Sequence, residues 1–427
     1  MKHVFLFFSL LAGLLSCAQK SAEAISISEV ERIERMLASD EMLGREAGKP
    51  GSDKAAQFIA SEFTKAGLAP LTGAADHLQS FSLVEAKLLE AKGELDDQAL
   101  DSKNIFVLTT TADLEVDEKS GFEYRTLAAG GNMMQIAYGM INEEKKLIVF
   151  VDESHAGSFS RLNRFMRPAF ASEASTIFIL SNKTTPKKIK IKAKHAITDV
   201  PMKNVVGVLP GKTKPKEYVI FSAHYDHLGI GKPENGDSIY NGANDDAAGT
   251  TAIILLANHF KKLNNNDRTI VFAAFTAEEM GGFGSQYFSK QFDPKEVVAM
   301  FNIEMIGTES KWGKNSAFIT GYEKTDMGKI LQSNLNGTNF SFHPDPYPEQ
   351  DLFYRSDNAT LARLGVPAHT ISTSKMDSEK YYHTVDDEVE NLDMENMAAI
   401  IKAIAESSKT IIAGKDTPGR VDTEDLR

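Results

Sequence analysis

The C-terminal half of the chain alternates between two kinds of hydrophobic pattern. Short apolar runs bounded by polar residues are typical of buried strands, and apolar positions three or four residues apart are typical of helices. We predict strands at Tyr218–Ala223, Arg268–Phe275, Val297–Ile303 and Ala368–Ser372, with helices from after Asp246 to about Leu263, from about Gly284, near Thr325–Asn334, and at the end around Met397–Ile411. Such alternation favours a largely parallel sheet with helices on both faces.

The N-terminal part carries two further helical patterns. Ser28 followed by Glu31 forms a capping box that predicts a helix to about Ala38. Ser52 is expected to open a second helix, which Gly67 closes. We expect both helices to cover the main sheet.

The pattern changes between residues 79 and 200. Residues 79–200 contain short β-type runs separated by polar turns, at Asn104–Leu108, Leu147–Val151, Thr176–Leu180 and Ile189–Ile191. We therefore predict one domain formed by residues 28–78 and 201–413, with a β-rich domain at 79–200 inserted into it. Residues 414–427 form a polar tail that we expect to be mobile.

Composition narrows the functional classes. The 427 residues are 42% hydrophobic and 25% charged, which is ordinary for a globular protein. The formal net charge is −12, and nucleic-acid-binding proteins usually carry a basic surface. We therefore expect no nucleic-acid partner.

The first residues predict an export signal. Lys2 and His3 precede the apolar run Val4–Leu15, which has the length of a signal-peptide core. The run ends in Leu-Leu-Ser-Cys, which resembles a bacterial lipobox with Cys17 as the acylated residue. This predicts a signal peptide at 1–17, a tether at 18–27 and a lipid-anchored protein of the bacterial cell envelope, which we expect on the outer membrane. Cys17 is the only cysteine, so disulfides, a cysteine nucleophile and thiolate metal sites are excluded from the folded body.

Four short strings in the C-terminal half carry the candidate chemistry. They combine imidazoles and carboxylates with glycine or alanine, at positions where loops could leave packed elements. The strings are HYDHLG (His224–Gly229), NGANDDAAG (Asn241–Gly249), AEEMGGFGS (Ala277–Ser285) and YYHTVDD (Tyr381–Asp387). Nitrogen and oxygen donors without thiolates suit a pair of zinc ions or similar divalent metals.

The predicted topology brings several of these side chains together. His224, the pair Glu278 and Glu279, and Glu304 each follow a predicted strand, and ligands of open α/β sheets bind beyond the carboxyl ends of the strands. Asp245 precedes a predicted helix in a Gly- and Asn-rich loop. We expect all of them to meet at one edge of the sheet.

The four strings, in this order, resemble the co-catalytic zinc aminopeptidase family, which includes bacterial leucyl aminopeptidases, aminopeptidase Y-type enzymes and glutamate carboxypeptidase. The resemblance covers about residues 30–70 and 200–412. It implies a zinc exopeptidase-like α/β fold and a two-zinc site acting on peptide substrates. The inserted region resembles a protease-associated domain more loosely, and an unrelated β-rich insert is the alternative.

The resemblance also implies a ligand set. His224 and Glu304 would hold one metal, Glu279 and His383 the other, and Asp245 would bridge them. Glu304 departs from the family pattern, because most relatives have Asp at this position.

Further roles follow from the same resemblance. Glu278 would be the general base, and Asp226 and Asp387 would be the carboxylates that support the ligands. Tyr382 would donate to the developing oxyanion. The string Tyr354–Asn358 suggests Asp357 and Arg355 as pocket residues, although a surface ion pair is an equal alternative. His227 and His259 match no ligand position, and we assign them structural or surface roles.

Several functional alternatives remain open on this sequence. The resemblance favours an aminopeptidase. Rival hydrolase chemistries lack their signatures, since neither HExxH nor GxSxG occurs in the chain. A glutaminyl cyclase shares the scaffold but performs an acyl transfer with one zinc. A carboxypeptidase or dipeptidase would need a cation, such as Arg355, to bind a substrate carboxylate. A non-catalytic lipoprotein with the same fold is the last alternative.

Overall fold

The computed structural model describes residues 24–426. Its strands are β1 (Leu78–Leu95), β2 (Gln98–Ala99), β3 (Ile105–Leu108), β4 (Asp113–Asp117), β5 (Glu123–Leu127), β6 (Lys146–Val151), β7 (Ser175–Leu180), β8 (Ile189–Leu209), β9 (Lys214–His224), β10 (Gly229–Glu234), β11 (Asp237–Tyr240), β12 (Arg268–Phe275), β13 (Val297–Ile303), β14 (Ser316–Ile319), β15 (Ser341–Pro344) and β16 (Ala368–Ser372). Its α-helices are α1 (Ile27–Leu37), α2 (Pro50–Ala66), α3 (Met133–Ile141), α4 (Ala248–Leu263), α5 (Phe283–Ser289), α6 (Met327–Asn334), α7 (Asn358–Ala362), α8 (Met394–Ser407) and α9 (Lys409–Ile412).

The main sheet is mixed, with a parallel centre. Its order is β15-β14-β16-β13-β9-β12-β8-β1-β2, and β4 pairs with β8 off this path. The neighbours β16, β13, β9 and β12 run parallel to one another, whereas β8 is antiparallel to β12 and β1 is antiparallel to β8. The predicted α/β class with a mixed, largely parallel central sheet is therefore confirmed.

Helices cover both faces of this sheet because its central strands are apolar on both sides. In β12, Phe272 belongs to the core shared with α1, α2, α4 and α8, while the next residue, Ala273, belongs to the core on the opposite face. Phe221 of β9 stacks on Phe272 and Phe301 with ring centroids 5.8 and 4.7 Å apart. These stacked rings join three neighbouring strands at the centre of the sheet.

The inserted region is built on a second, four-stranded sheet with the order β3-β7-β6-β5. One of its faces packs on the far ends of β1 and β8, where Ala91 and Ile191 lie, and its other face packs on α3. The limits 79 and 200 fall inside β1 and β8, because these two long strands pair continuously from the main sheet into the inserted region. The domain boundaries themselves stay predictions.

Three local predictions need correction. The cap of α1 is Ser26, whose hydroxyl accepts a hydrogen bond from the N–H of Glu29, so Ser28 lies inside the helix. Helix α2 begins at Pro50, before Ser52. The tail after residue 414 is packed, since Val421 is 4% exposed and its N–H donates to the carbonyl of Gly365.

The predicted signal peptide, tether start and lipidated Cys17 lie outside the described residues. Within residues 24–426, no helix has both the length and the apolar character required to cross a bilayer.

Candidate metal centre

The carboxyl ends of three parallel strands carry the candidate ligands. His224 is the last residue of β9, Glu278 and Glu279 lie in the turn after β12, and Glu304 follows β13 directly. The strands β13, β9 and β12 are neighbours and run in the same direction. The structure therefore places these side chains at one edge of the sheet, where the sequence predicts them.

Asp245 lies between two imidazoles. Its Oδ1 is 3.2 Å from Nε2 of His224, and its Oδ2 is 3.3 Å from Nε2 of His383. Nε2 of His383 also lies 3.2 Å from Oε2 of Glu279. Burial works to raise the pKa of Asp245, but His224 and His383 hold it below its usual value. The two carboxylate oxygens thus face two different sets of donors.

Glu304 completes the side of the centre that contains His224. Burial raises its pKa to about 7, with His224 opposing the shift and Asp245 adding to it. Its Oε2 is buried without a hydrogen-bond partner. The side chain of Glu304 therefore lies close enough to His224 and Asp245 to interact with their charges.

The carboxylates of Asp226 and Asp387 accept hydrogen bonds from backbone N–H groups rather than from the imidazoles. The carboxylate of Asp226 accepts hydrogen bonds from the N–H groups of Glu278 (3.1 Å) and Glu279 (3.4 Å). Nδ1 of His224 lies 3.1 Å from the carbonyl oxygen of Asp226 and 3.9 Å from its carboxylate. The buried carboxylate of Asp226 therefore fixes the turn that carries the two glutamates.

Asp387 fixes the loop that carries Asp245. Its Oδ1 accepts from the N–H of Asn244 (2.8 Å) and its Oδ2 from the N–H of Asp245 (3.0 Å). Asp246 holds the next part of this loop, because its Oδ1 accepts from the N–H groups of Gly249 and Met305, both at 3.0 Å. Asp245 is therefore positioned by carboxylates that are themselves tied to backbone.

His227 also belongs to this cluster, although it matches no ligand position in the family pattern. Its ring is 0% exposed, and Nδ1 lies 3.0 Å from Oε1 of Glu279 and 3.9 Å from Oδ2 of Asp245. It stands three positions after His224 in the same string, and this proximity was the only available signal. The structural role predicted for His227 would take the form of this contact with Glu279.

Comparison with known proteins identifies the domain. Residues 204–408 match the model of Peptidase family M28. The chain carries an M28 peptidase domain.

Curated relatives of the M28 domain are aminopeptidases. A probable leucine aminopeptidase of Trichophyton verrucosum is 28% identical over 203 residues, covering 45% of this chain and 53% of the relative. Aminopeptidase YwaD of Bacillus subtilis is 25% identical over 242 residues, covering 53% of this chain and 50% of the relative. The chain thus spans about half the length of the curated relatives it matches.

Solved structures similar to this chain share its fold. The aminopeptidase from Aneurinibacillus sp. strain AM-1 has a TM-score of 0.55 at 17% identity, covering 95% of this chain and 97% of its own. The zinc aminopeptidase BSAP from Bacillus subtilis has a TM-score of 0.55 at 16% identity, covering 94% of this chain and 99% of its own. The glutaminyl cyclase of Porphyromonas gingivalis has a TM-score of 0.50 at 11% identity, covering 92% of this chain and 100% of its own. At these identities the likeness concerns the fold alone.

The donor atoms of the M28 domain fit divalent metals. Buried atoms without a hydrogen-bond partner include Nε2 of His224, Nε2 of His383 and Oε2 of Glu304. Unpaired buried polar atoms are costly, and three of them converge on Asp245. Imidazole nitrogen and carboxylate oxygen together are the donor types that Zn²⁺ binds.

A cavity of about 1240 Å³ opens onto this centre of the M28 domain, with Asp245, Glu278, Glu279, Glu304 and Tyr382 in its lining. Residues of the inserted region line it too, among them Tyr138 of α3 and Glu144. Substrate at the centre would therefore meet both parts of the chain.

The remaining candidates of the M28 domain take different positions around this cavity. Tyr382 is 37% exposed and its ring stacks on His383 at 3.9 Å between centroids. Asp357 is buried, and burial raises its pKa to about 6. Arg355 is exposed, lines the cavity, and its Nη1 lies 3.5 Å from Oε1 of Gln350. Neither Asp357 nor Arg355 has an ion-pair partner among residues 24–426.

Glu278 lines the cavity beside Glu279, in the turn after β12. Burial raises its pKa well above its usual value; the charge of His224 opposes the shift, and those of Glu304 and Asp357 add to it. A carboxyl group with a raised proton affinity, next to a cavity, is suited to proton transfer.

Proposed function

We propose that this protein is a metal-dependent aminopeptidase, which removes N-terminal residues from peptides with the help of two zinc ions. The observation that carries the proposal is the position of Asp245, whose two oxygens face His224 on one side and His383 on the other. A carboxylate placed in this way can bridge two cations. The aminopeptidase names of the relatives support the substrate class.

The proposed ligands are distributed over two sides. His224 and Glu304 would hold one ion, and Glu279 and His383 would hold the other. When bound, the ions would polarise the scissile carbonyl and lower the pKa of a water molecule to about 7. Asp226 and Asp387 keep the ligand loops in place through the backbone contacts described above.

Glu278 is the proposed general base. Its carboxylate would take a proton from the attacking water and pass it to the leaving amine. Tyr382, beside His383 at the mouth of the centre, would donate a hydrogen bond to the oxyanion.

The first experiment combines metal analysis with hydrolysis of a panel of aminoacyl anilides. We expect about two ions per chain, loss of cleavage after chelation and recovery with Zn²⁺. Unchanged cleavage after complete removal of metal would contradict the proposal.

The second experiment tests Glu278. Glu278→Gln should retain the metals and lose about two to four orders of magnitude in kcat, as is typical for an acid–base group. A matched control is Glu406→Gln, because Glu406 of α8 forms an exposed ion pair with Lys409 of α9 and does not belong to the ligand set. A Glu278→Gln enzyme with full metal content and nearly full activity would show that another group is the base.

A second candidate function is a dipeptidase or carboxypeptidase. The cavity lining contains four exposed cations, Arg167, Lys290, Arg355 and Arg363, and none of them forms an ion pair within the described part of the chain. An unpaired guanidinium can bind a carboxylate with two hydrogen bonds. Such cations favour short substrates whose free C-terminal carboxylate reaches the wall.

The two candidates separate on matched substrates. A dipeptidase should cleave Ala-Ala much faster than Ala-Ala amide, and Arg355→Ala should raise KM for the free acid alone. Equal rates on both substrates, together with cleavage of longer peptides, would support the aminopeptidase. Formation of pyroglutamate from an N-terminal Gln peptide would instead indicate a cyclase, and binding of metal without any turnover would indicate a non-catalytic lipoprotein.

We also propose that Cys17 carries a lipid that anchors the protein in a bacterial envelope, on the outer membrane. The lipobox-like Leu-Leu-Ser-Cys segment supports this proposal. Labelled palmitate should be incorporated into the full chain but not into Cys17→Ser. Equal labelling of both proteins would contradict acylation at this residue.

A further inference from the structure

One buried imidazole of the centre has no role in the proposed mechanism. Nδ1 of His227 faces Oε1 of Glu279 at 3.0 Å and Oδ2 of Asp245 at 3.9 Å. One donor atom from each of these three residues lies within 4.8 Å of the other two. Nε2 of His227 is buried and has no hydrogen-bond partner.

The distances match those between ligands of one ion. Two donors at about 2.0–2.1 Å from a tetrahedral Zn²⁺ stand about 3.3 Å apart. His227 and Glu279 are separated by 3.0 Å, and His383 lies 3.2 Å from the other oxygen of Glu279 and 3.3 Å from Oδ2 of Asp245. The rings of His227 and His383 are 5.6 Å apart and nearly perpendicular. The two imidazoles thus approach the same carboxylates from different directions.

The backbone holds His227 in this place. Its N–H donates to the carbonyl of Arg45 at 3.3 Å, and Glu46 forms a parallel β-bridge with it. Gly242 lies against the ring, since a Cβ at this position would come within 2.5 Å of the ring atoms Cγ and Cδ2. Contact on several sides leaves the ring little freedom to turn away from the carboxylates.

We propose that His227 is a metal ligand on the same side as Glu279 and His383. That position would then have four protein donors, from His227, Asp245, Glu279 and His383, whereas the other position has three, from His224, Asp245 and Glu304. The two positions are therefore unequal, and the four-donor position binds its ion more tightly. This inference rests on the proposed metal centre, but it does not depend on any hydrolytic activity.

The competing explanation is that His227 only orients Glu279 through a hydrogen bond. The pair of variants His227→Ala and His227→Gln separates the two roles. Glutamine keeps an N–H donor for Glu279 but is a poor ligand for zinc. Loss of an outer partner alone typically weakens metal binding by about 10–100-fold, so loss of a ligand should exceed this range.

The experiment is a titration of the metal-free full-length protein with Co²⁺, followed by visible absorption, and with Zn²⁺ in competition with a chelator. We expect both variants to weaken the tighter binding step by more than about a hundredfold and to change the Co²⁺ spectrum. His343→Ala is the matched control, because this histidine stacks on Trp312 outside the ligand set, and it should bind like the wild type. Wild-type affinity and spectrum in His227→Gln would overturn the proposal.

X-ray absorption of the wild-type protein with two Zn²⁺ gives a second test that needs no variant. Three imidazoles shared by two ions give an average of about 1.5 per ion, and two imidazoles give about 1.0. A value near 1.0 would exclude His227 as a ligand. Failure of the proposed function would look different, as full metal binding without cleavage of any peptide.

Discussion

The strongest stability prediction concerns Arg45, which joins two of the ligand loops. Its guanidinium is fully buried and donates to four backbone carbonyls: Nε to Tyr225 (2.7 Å), Nη1 to Leu37 (2.7 Å) and Asn241 (2.5 Å), and Nη2 to Gly242 (2.8 Å). Tyr225 follows His224, and Asn241 and Gly242 precede Asp245. One side chain therefore holds the two loops at a fixed separation.

The expected loss of stability follows from the buried carbonyl groups that lose their hydrogen-bond donor. Arg45→Met keeps much of the volume but leaves the carbonyls without their donor, and each unpaired buried polar group costs about 1–3 kcal/mol. Removing the buried charge offsets part of this cost, because burial already lowers the pKa of Arg45. Breaking a buried charged network typically costs about 3–5 kcal/mol, and we expect a loss of about 4 kcal/mol in the free energy of unfolding.

The assay is urea unfolding at pH 7, monitored by far-UV circular dichroism, with metal affinity measured in parallel. Arg35→Met is the control, because Arg35 is 52% exposed and pairs with exposed Glu31 and Glu390; it should change stability by less than about 1 kcal/mol. Metal affinity should fall in Arg45→Met but not in the control. A change below 1 kcal/mol for Arg45→Met would refute the reasoning.

Three further predictions concern other parts of the domain. Burial lowers the pKa of His369 to about 4, below its unfolded value of about 6.5. The unfolded state therefore binds more protons, and the free energy of unfolding should fall by up to about 3 kcal/mol as the pH drops from 6.5 to 4. In urea unfolding, His369→Gln should lose less stability in acid than the wild type, and an unchanged pH profile in this variant would contradict the prediction. Gly242→Ala adds a Cβ that clashes with the carbonyl oxygen of Asp245, at a backbone φ of +54° that disfavours alanine. Metal titration should therefore show at least about tenfold weaker binding. Wild-type affinity in this variant would contradict the close contact between Gly242 and Asp245. Phe221→Ala removes the central ring of the sheet and should cost about 3–5 kcal/mol in urea unfolding, whereas a loss below 1 kcal/mol would contradict its place in the core.

The sequence predicted the central strands well for a local reason. The observed limits of β12 and β13 coincide with the predicted strands Arg268–Phe275 and Val297–Ile303, because an apolar run of five or six residues forms the body of each. The ends of these strands then indicated where His224, Glu278 and Glu304 would lie. The part of the site that depends on parallel strands was therefore accessible from the pattern.

The inserted region was predicted less completely because its long pairing is not local. β8 extends over Ile189–Leu209, whereas the pattern indicated only Ile189–Ile191. Its middle is polar and exposed around Asp199, and it is held as strand by its register with β1. Helix α3 (Met133–Ile141) was missed, because its run of apolar residues has no clear helical spacing.

The contacts that hold the ligand loops in place could not be predicted from the sequence. The spacing of residues along the sequence does not predict that Asp387 accepts a hydrogen bond from the N–H of Asp245, since the two residues are 142 positions apart. His227 was assigned a structural or surface role, because its approach to Glu279 depends on the turn after β12, which the sequence pattern does not show. Side-chain direction in loops is set by such distant partners.

The most direct test of the metal centre is anomalous X-ray diffraction from crystals of the zinc-loaded protein, with data collected on both sides of the zinc absorption edge. We predict two anomalous peaks on opposite sides of the carboxylate of Asp245, one near His224 and Glu304 and the other near Glu279 and His383. Peaks elsewhere in the molecule, or none at this carboxylate in crystals that contain zinc, would contradict the account.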